Sequence, residues 1–472
     1  MSKITKNKLA LLALAGLVAS GSAHAESMTV DTHGGLDVFA LNGNRDYWFT
    51  IAGRLFLDQA FFDHDHDEFG PGSGFPSGAY VRNARVILKG GTGNKFYYKL
   101  KLDFLDRADV EGVALRDAYV GYLYCPNLQF AAGLITPPFG LESWMSQEHI
   151  SFMEDSIATD AFRPNASMGL FAEWHGEMFT LAGAVYQPHG PGYFAPGDSV
   201  PVLISGGGDV PVFFSSTPAS PGSAFPGSSD HAVAARLTFS PVHDDVTVYH
   251  AGVSARYEHL HQNANRFNFR SGLEVTARQT PRLFSFIPPN SAESDDVWGA
   301  ELAGRWGPLL VQGEFMWANV EREDFFAPGD FRSPGGSEDY RGYYIAASYF
   351  LTGEVRQYDF DTGVFRAVKL PEHRCGLWKG AWEVAIRHSY VDLLDHQRLV
   401  TDSLGSSSFE DSSLSPTGFR VNDIIGGGHS TVIALNYYVN NNVKFRANYM
   451  RADLAGDNEV DALGLRAEVT WG

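Results

Sequence analysis

Two cysteines in 472 residues exclude a disulfide-stapled scaffold. No stretch reaches about eighteen consecutive apolar residues, so no helix is expected to cross a bilayer. Positive charge is scarce: 36 Lys and Arg stand against 55 Asp and Glu, a formal net charge of -19. Without a basic stripe to neutralise phosphates, nucleic acid is not an expected partner. No internal repeat is visible. The glycine triplet at 426–428 lacks a phosphate-loop context, and no cofactor motif stands out.

What the chain has is glycine and aromatics: 50 Gly, 34 Phe, 20 Tyr and 9 Trp. Its mean hydropathy is -0.16. A soluble protein would show that value. So would a barrel that turns apolar residues to lipid and polar ones to its lumen. Residues 1–25 carry Lys3, Lys6 and Lys8, then a short apolar run, then Ala23-His24-Ala25. This reads as a secretory signal peptide cleaved after Ala25. Residues 26–46 would follow as a short periplasmic segment, and 47–472 as the barrel.

Periodicity decides between the two classes. In KFYYKLKLDF, Phe96, Tyr98, Leu100, Leu102 and Phe104 share one face, and Lys95, Tyr97, Lys99, Lys101 and Asp103 the other. A half-buried soluble strand rarely alternates for so long with aromatics at its end. The same pattern recurs through Val443, Phe445, Ala447 and Tyr449, and through Leu463, Leu465, Ala467, Val469 and Trp471. A bacterial outer-membrane barrel needs an even strand number, short periplasmic turns and long outer loops. Threading the chain under that rule predicts an all-β fold, a sixteen-stranded antiparallel transmembrane barrel. One connection, residues 352–379, is long yet falls on the periplasmic side, and the rule gives no reason for it.

Residues 136–165, TPPFGLESWMSQEHISFMEDSIATDAFRPN, interrupt the pattern. An insert of about thirty residues in a β domain is usually functional or disordered. Phe139, Leu141, Trp144, Met145, Ile150, Phe152, Met153, Ile157 and Phe162 make it too apolar for disorder. It is expected to fold into the barrel and narrow the pore. That implies a channel with a constriction loop holding Glu142, Glu148, His149, Glu154, Asp155 and Asp160 against Arg163.

The face assignments place Arg54, Arg85, Lys89, Lys95, Lys99, Lys101, Arg236, Arg256, Arg305, Arg387, Lys444, Arg446 and Arg466 on the lumen wall. Fewer acids oppose them: Asp58, Asp103, Glu173, Glu301, Glu314, Glu383 and Glu468. A basic wall concentrates anions. Alternatively, wall cations pair with wall acids and only stiffen the barrel. The run from Asp63 to Glu68, DHDHDE, offers metal-ligand chemistry but matches no defined spacing, and a solvated acidic loop is the simpler reading. Cys125 and Cys375 both fall on the periplasmic side, on strands too far apart for a bridge unless 352–379 reaches across.

At residues 133–155, GLITPPFGLESWMSQEHISFMED, the chain resembles the phosphate-selective porin O and P family. The likeness continues in LRDAYVGY (115–122), GYYIAASYFLTGEVRQYD (342–359), GAWEVAIRHSYVDL (380–393) and ALNYYVNNNVKFRANYMRA (434–452). The resemblance implies a homotrimeric outer-membrane channel for passive uptake of phosphate or related anions. It also implies anion contacts at Arg54, Arg82 and Arg85. Asn83 stands where the family often has a second arginine, and Glu148 where the family's phosphate-binding lysine aligns. Such barrels usually end in an aromatic, and here Gly472 follows Trp471.

The residues expected to line the pore and meet anions are therefore Arg54, Arg82, Arg85, Lys99, Lys101, Arg236, Lys444 and Arg446. A general diffusion porin without phosphate selectivity remains open. So does an outer-membrane hydrolase, for which His149 beside Ser146 and Ser151 is the one candidate, and so does an adhesive barrel. The reading adopted is a porin, not an enzyme, with outer-membrane lipid, small anions and two further copies of itself as partners and no cofactor.

Overall fold

The structure is a computed structural model. It describes residues 27–31, 36–42, 45–64, 75, 77–93, 95–104, 114–188, 230–259, 269–277, 284–286, 292–322, 325–327, 331–333, 336–370, 379–393, 399–401, 407–409, 427–454 and 458–472. The signal-peptide segment, residues 65–68 of the acidic run and Cys375 lie outside these.

Sixteen antiparallel strands close on themselves. They are β1 (Arg45–His64), β2 (Gly78–Thr92), β3 (Phe96–Asp103), β4 (Ala114–Cys125), β5 (Leu128–Ile135), β6 (Ser167–His175), β7 (Phe179–Tyr186) and β8 (His231–His243), then β9 (Thr247–His259), β10 (Ala292–Trp306), β11 (Leu309–Arg322), β12 (Gly336–Phe350), β13 (Ala381–Asp392), β14 (Gly427–Tyr438), β15 (Val443–Leu454) and β16 (Asn458–Trp471). β16 pairs with β1 from Val460 opposite His64 to Trp471 opposite Gly53, which leaves the barrel no edge. Two more strands, Ser27–Asp31 and Leu36–Asn42, form a hairpin that pairs with the first residues of β1.

The alternation seen in the sequence is the alternation of the wall. On β8, Val233, Leu237 and Phe239 are exposed while Ala232, Ala234, Arg236 and Thr238 are buried. Exposed apolar residues form the outer band, and aromatics gather at its ends: Tyr124, Trp174, Phe179, Trp306 and Tyr349 near the short turns, Phe61, Trp298, Trp317 and Tyr343 near the long loops. That is the girdled exterior a bilayer requires.

Residues 352–370, the described part of the connection that threading left unexplained, form a strap. Arg356–Asp359 and Val364–Val368 pair as a hairpin, turning at Gly363, whose φ is 61°. Arg236 on β8 donates to the carbonyls of Thr362 and Gly363, both at 2.9 Å. His175 lies 3.3 Å from Asp361, and Phe360 stacks on His243. The strap thus leaves β12, crosses the periplasmic mouth to β6 and β8, and brings Val368 and Leu370 back against Ala381 at the start of β13. Its length is set by that span.

Candidate functional site

Residues 136–165 leave β5 and carry two short helices, α1 (Leu141–Trp144) and α2 (Ile157–Phe162). They meet inward-facing residues of strands on opposite sides of the barrel, so this inner loop occupies the lumen. An irregular segment away from water must satisfy its backbone polar groups. The wall and the strap supply them. Lys444 donates to the carbonyl of Glu148 at 2.8 Å and Arg387 to that of Glu154 at 2.9 Å. Arg256 reaches the carbonyl of Phe162 at 3.2 Å. Arg356 binds the carbonyl of His149, Arg446 that of Phe152 and Arg466 that of Met153.

The loop's acids are used in the same way. Arg387 donates to Glu142 at 2.6 Å and to Glu274 at 2.8 Å. Arg82 holds Glu154 through two bonds of 2.6 Å, and Arg466 bridges Asp58 and Glu154. Arg163 pairs with Asp155 at 2.5 Å and with Asp160 at 2.8 Å. Glu314, on β11, accepts from the amides of Leu141 and Glu142 and so caps α1. Gly140 makes that approach possible: its φ is 66°, and a Cβ there would sit 2.5 Å from Glu314 Oε2. Glu274, in a segment of the loop after β9, adds a further cap by accepting from the amide of Ile157 at 3.1 Å.

Most of the loop's acids are thus turned against arginines. Glu142 and Glu154 are buried against arginines. Arg82, Arg236, Lys444 and Arg446 are buried too. Arg236 pairs with Glu301, and Lys444 and Arg446 share Glu468. Much of the basic wall is there to hold the loop and the strap.

The anchors run from β9 through β11 and β13–β16 to β1 and β2. The wall of β3 and β4 carries none of them, and there the cations, with Arg85 beside them on β2, reach lumen water. Lys99 and Lys101 both lie 2.8 Å from Asp117. Arg85 lies 2.8 Å and Arg116 3.8 Å from Asp103. Four cations share two carboxylates, and the four side chains are 18–38% exposed while the two acids are buried. Beside them, Arg54, the cross-strand neighbour of Arg85, pairs with Glu148, whose side chain keeps 24% of its exposure. Arg54 also donates to Asn83 Oδ1 at 2.9 Å, which orients its guanidinium.

Burial alone would raise the Glu148 carboxyl, but the Arg54 guanidinium outweighs it and holds the group well below the usual range. Burial pushes His149 down to about 4, with Lys444, Arg366 and Arg356 acting in the same direction against Glu148. The ring is therefore neutral at pH 7. Because the folded value is depressed, a detached loop takes up the proton first, and loop packing weakens as pH falls from 6.5 towards 4. Asp155, pushed up to about 6 by burial against the pull of Arg163, titrates in the same window with the opposite sign. The two contributions oppose each other, so His149→Gln should remove the destabilising one and leave channel noise lower, relative to wild type, at about pH 4 to 5 than at pH 7.

The hydrolase constellation is not assembled. Ser151 donates to Glu383 at 2.8 Å, Ser146 accepts from Arg54, and His149 Nδ1 has no hydrogen-bond partner. The strap, Glu274, Ser389 and Asn436 escaped the sequence reading. The strap alone carried a signal, Asp361-Thr362-Gly363 between two alternating runs.

Comparison with known proteins comes to the same place. The model of the family described as phosphate-selective porin O and P matches residues 49–471. Porin O of Pseudomonas aeruginosa is 26% identical over 500 aligned positions, covering 99% of this chain and all of that protein. An uncharacterized protein of Caulobacter vibrioides is 25% identical over 74% of this chain and 62% of its own length. Among solved structures, the anion-selective porin of Comamonas acidovorans aligns with 90% of this chain and all of its own at a TM-score of 0.48 and 9% identity.

Proposed function

Because the chain belongs to the phosphate-selective porin O and P family, we propose that it is an outer-membrane channel through which phosphate and similar small anions diffuse along the uncovered wall of β3 and β4. One observation carries the route: Lys99, Lys101 and Arg116 of that wall, with Arg85 beside them on β2, share Asp103 and Asp117 as their ion-pair partners among the described residues and remain open to water. Excess positive charge in a low-dielectric tube concentrates anions. The inner loop is the constriction, and Glu148 is its one carboxylate turned towards the passage. Arg54 stands behind it, half neutralised.

A homotrimer and passive diffusion are part of the same proposal and rest on the family. So is the division of the chain into a signal peptide over 1–25, a periplasmic segment over 26–46 and the barrel over 47–472. The basic start, short apolar run and Ala-His-Ala support the first of these.

Reversal potential across a potassium chloride gradient tests the route, and it should show anion preference. Glu148→Lys removes the counter-ion of Arg54 and adds a cation where the family's lysine aligns. Phosphate should then block chloride current at lower concentration, and the gain should shrink as salt rises. Unaltered phosphate block in this variant would mean that Glu148 does not face the passage.

A further inference from the structure

We propose that the passage takes organic anions that carry a flat apolar group, with aromatic monocarboxylates as the simplest case. The inference rests on the anion route proposed above and adds a second recognition surface to it. On β3, Tyr97 and Lys99 alternate on the inward face, and Tyr119 on β4 is paired with Lys99. The Tyr97 ring lies flat over Gly121, where a Cβ would be 2.1 Å from the ring. Its hydroxyl donates to Gln129 at 2.7 Å and keeps it there. The Tyr97 and Tyr119 rings meet edge-on at 6.3 Å.

Inward positions further round the wall are small: Gly121, Ala131, Gly133 and Gly169. Beyond them Phe171, on β6, meets Trp144 of α1 with ring centroids 6.0 Å apart. The result is a shallow floor with aromatic rings at either side. All four rings are half-buried, although the loop and strap bury other apolar side chains in the lumen completely. Tyr119 and Phe171 rest on the cluster of Ile135, Ala184 and Tyr186, and Trp144 on that of the loop and strap; the ring surface left open is apolar area that a flat apolar group would cover.

Charge says what would cover them. Lys99 Nζ sits 5.8 Å from the Tyr119 ring and shares Asp117 with Lys101. A carboxylate at Lys99 and Lys101 places an attached ring over Tyr119, on the side from which the small residues lead towards Phe171. Inorganic phosphate or acetate fills the charged end and leaves the rings wet.

The test compares block of chloride current by acetate and by benzoate in planar bilayers. Benzoate should act at about tenfold lower concentration, the worth of one aromatic contact. Tyr119→Leu should erase that difference, and Phe171→Ala should reduce it. Lys99→Gln should weaken acetate and benzoate alike. Equal block by the two anions in the wild type overturns the inference while leaving the anion route intact. So does a benzoate advantage that survives both aromatic substitutions. A cation-selective reversal potential overturns the route, and the inference falls with it.

Discussion

Arg387→Met should detach the inner loop. Arg387 is fully buried and donates to Glu142, Glu274 and the carbonyl of Glu154, and its guanidinium lies 4.3 Å from the Phe152 ring. Methionine fills much of the volume and supplies none of the charge. Two buried carboxylates then face each other without a counter-ion, and breaking such a pair costs about 3–5 kcal/mol. The barrel ladders do not depend on this residue, so the loss falls on the loop. Single-channel conductance should rise and become noisy, and the loop should become sensitive to protease while the barrel keeps its heat-modifiable mobility. Adding Glu142→Gln and Glu274→Gln should return part of the attachment, because the uncompensated charge is then gone. Wild-type conductance and protease resistance in Arg387→Met would show that the loop is held by its apolar contacts instead.

Replacing residues 356–368 by a short Gly-Ser link should enlarge the channel from the periplasmic side. The strap packs Val364 and Phe365 against Leu141, Met145 and Ile150 of the loop. It also supplies Arg356, which reaches His149, Ser151 and Glu383. Without it the passage loses an obstacle and the loop loses its floor. Glu383 is fully buried and would be left without its cation, so the link should be made with Glu383→Gln to separate opening from misfolding. Conductance should rise well beyond the wild-type spread, with weaker selectivity because the loop is no longer held close to Lys99 and Lys101. An unchanged conductance would place the rate-limiting constriction wholly at the loop.

The basic wall shows where sequence reasoning stopped. Its inward face was legible from alternation alone: Lys99 and Lys101 point in, and Phe96 and Tyr98 point out. What those cations do was not. Arg387, Arg446 and Arg466 read like Lys99 in a pattern of period two. Only the folded loop distinguishes them, by placing a carbonyl or a carboxylate against each. A carboxylate such as Glu142 likewise reads as an obstacle to anions until its arginine is seen. Pairings across such distances along the chain leave no mark in local pattern.

The chain by itself determined the class: sixteen alternating strands, short turns on one side, aromatic ends and one apolar insert with nowhere to go but inward. Each of these is local, because side-chain direction follows from the pleat and turn placement from a few residues. The tertiary structure decided which wall stays open, which cations are consumed in holding the loop, and what residues 352–379 are for. Those depend on how three segments from distant parts of the sequence share one lumen, and the charge left over after they have paired is a property of that packing alone.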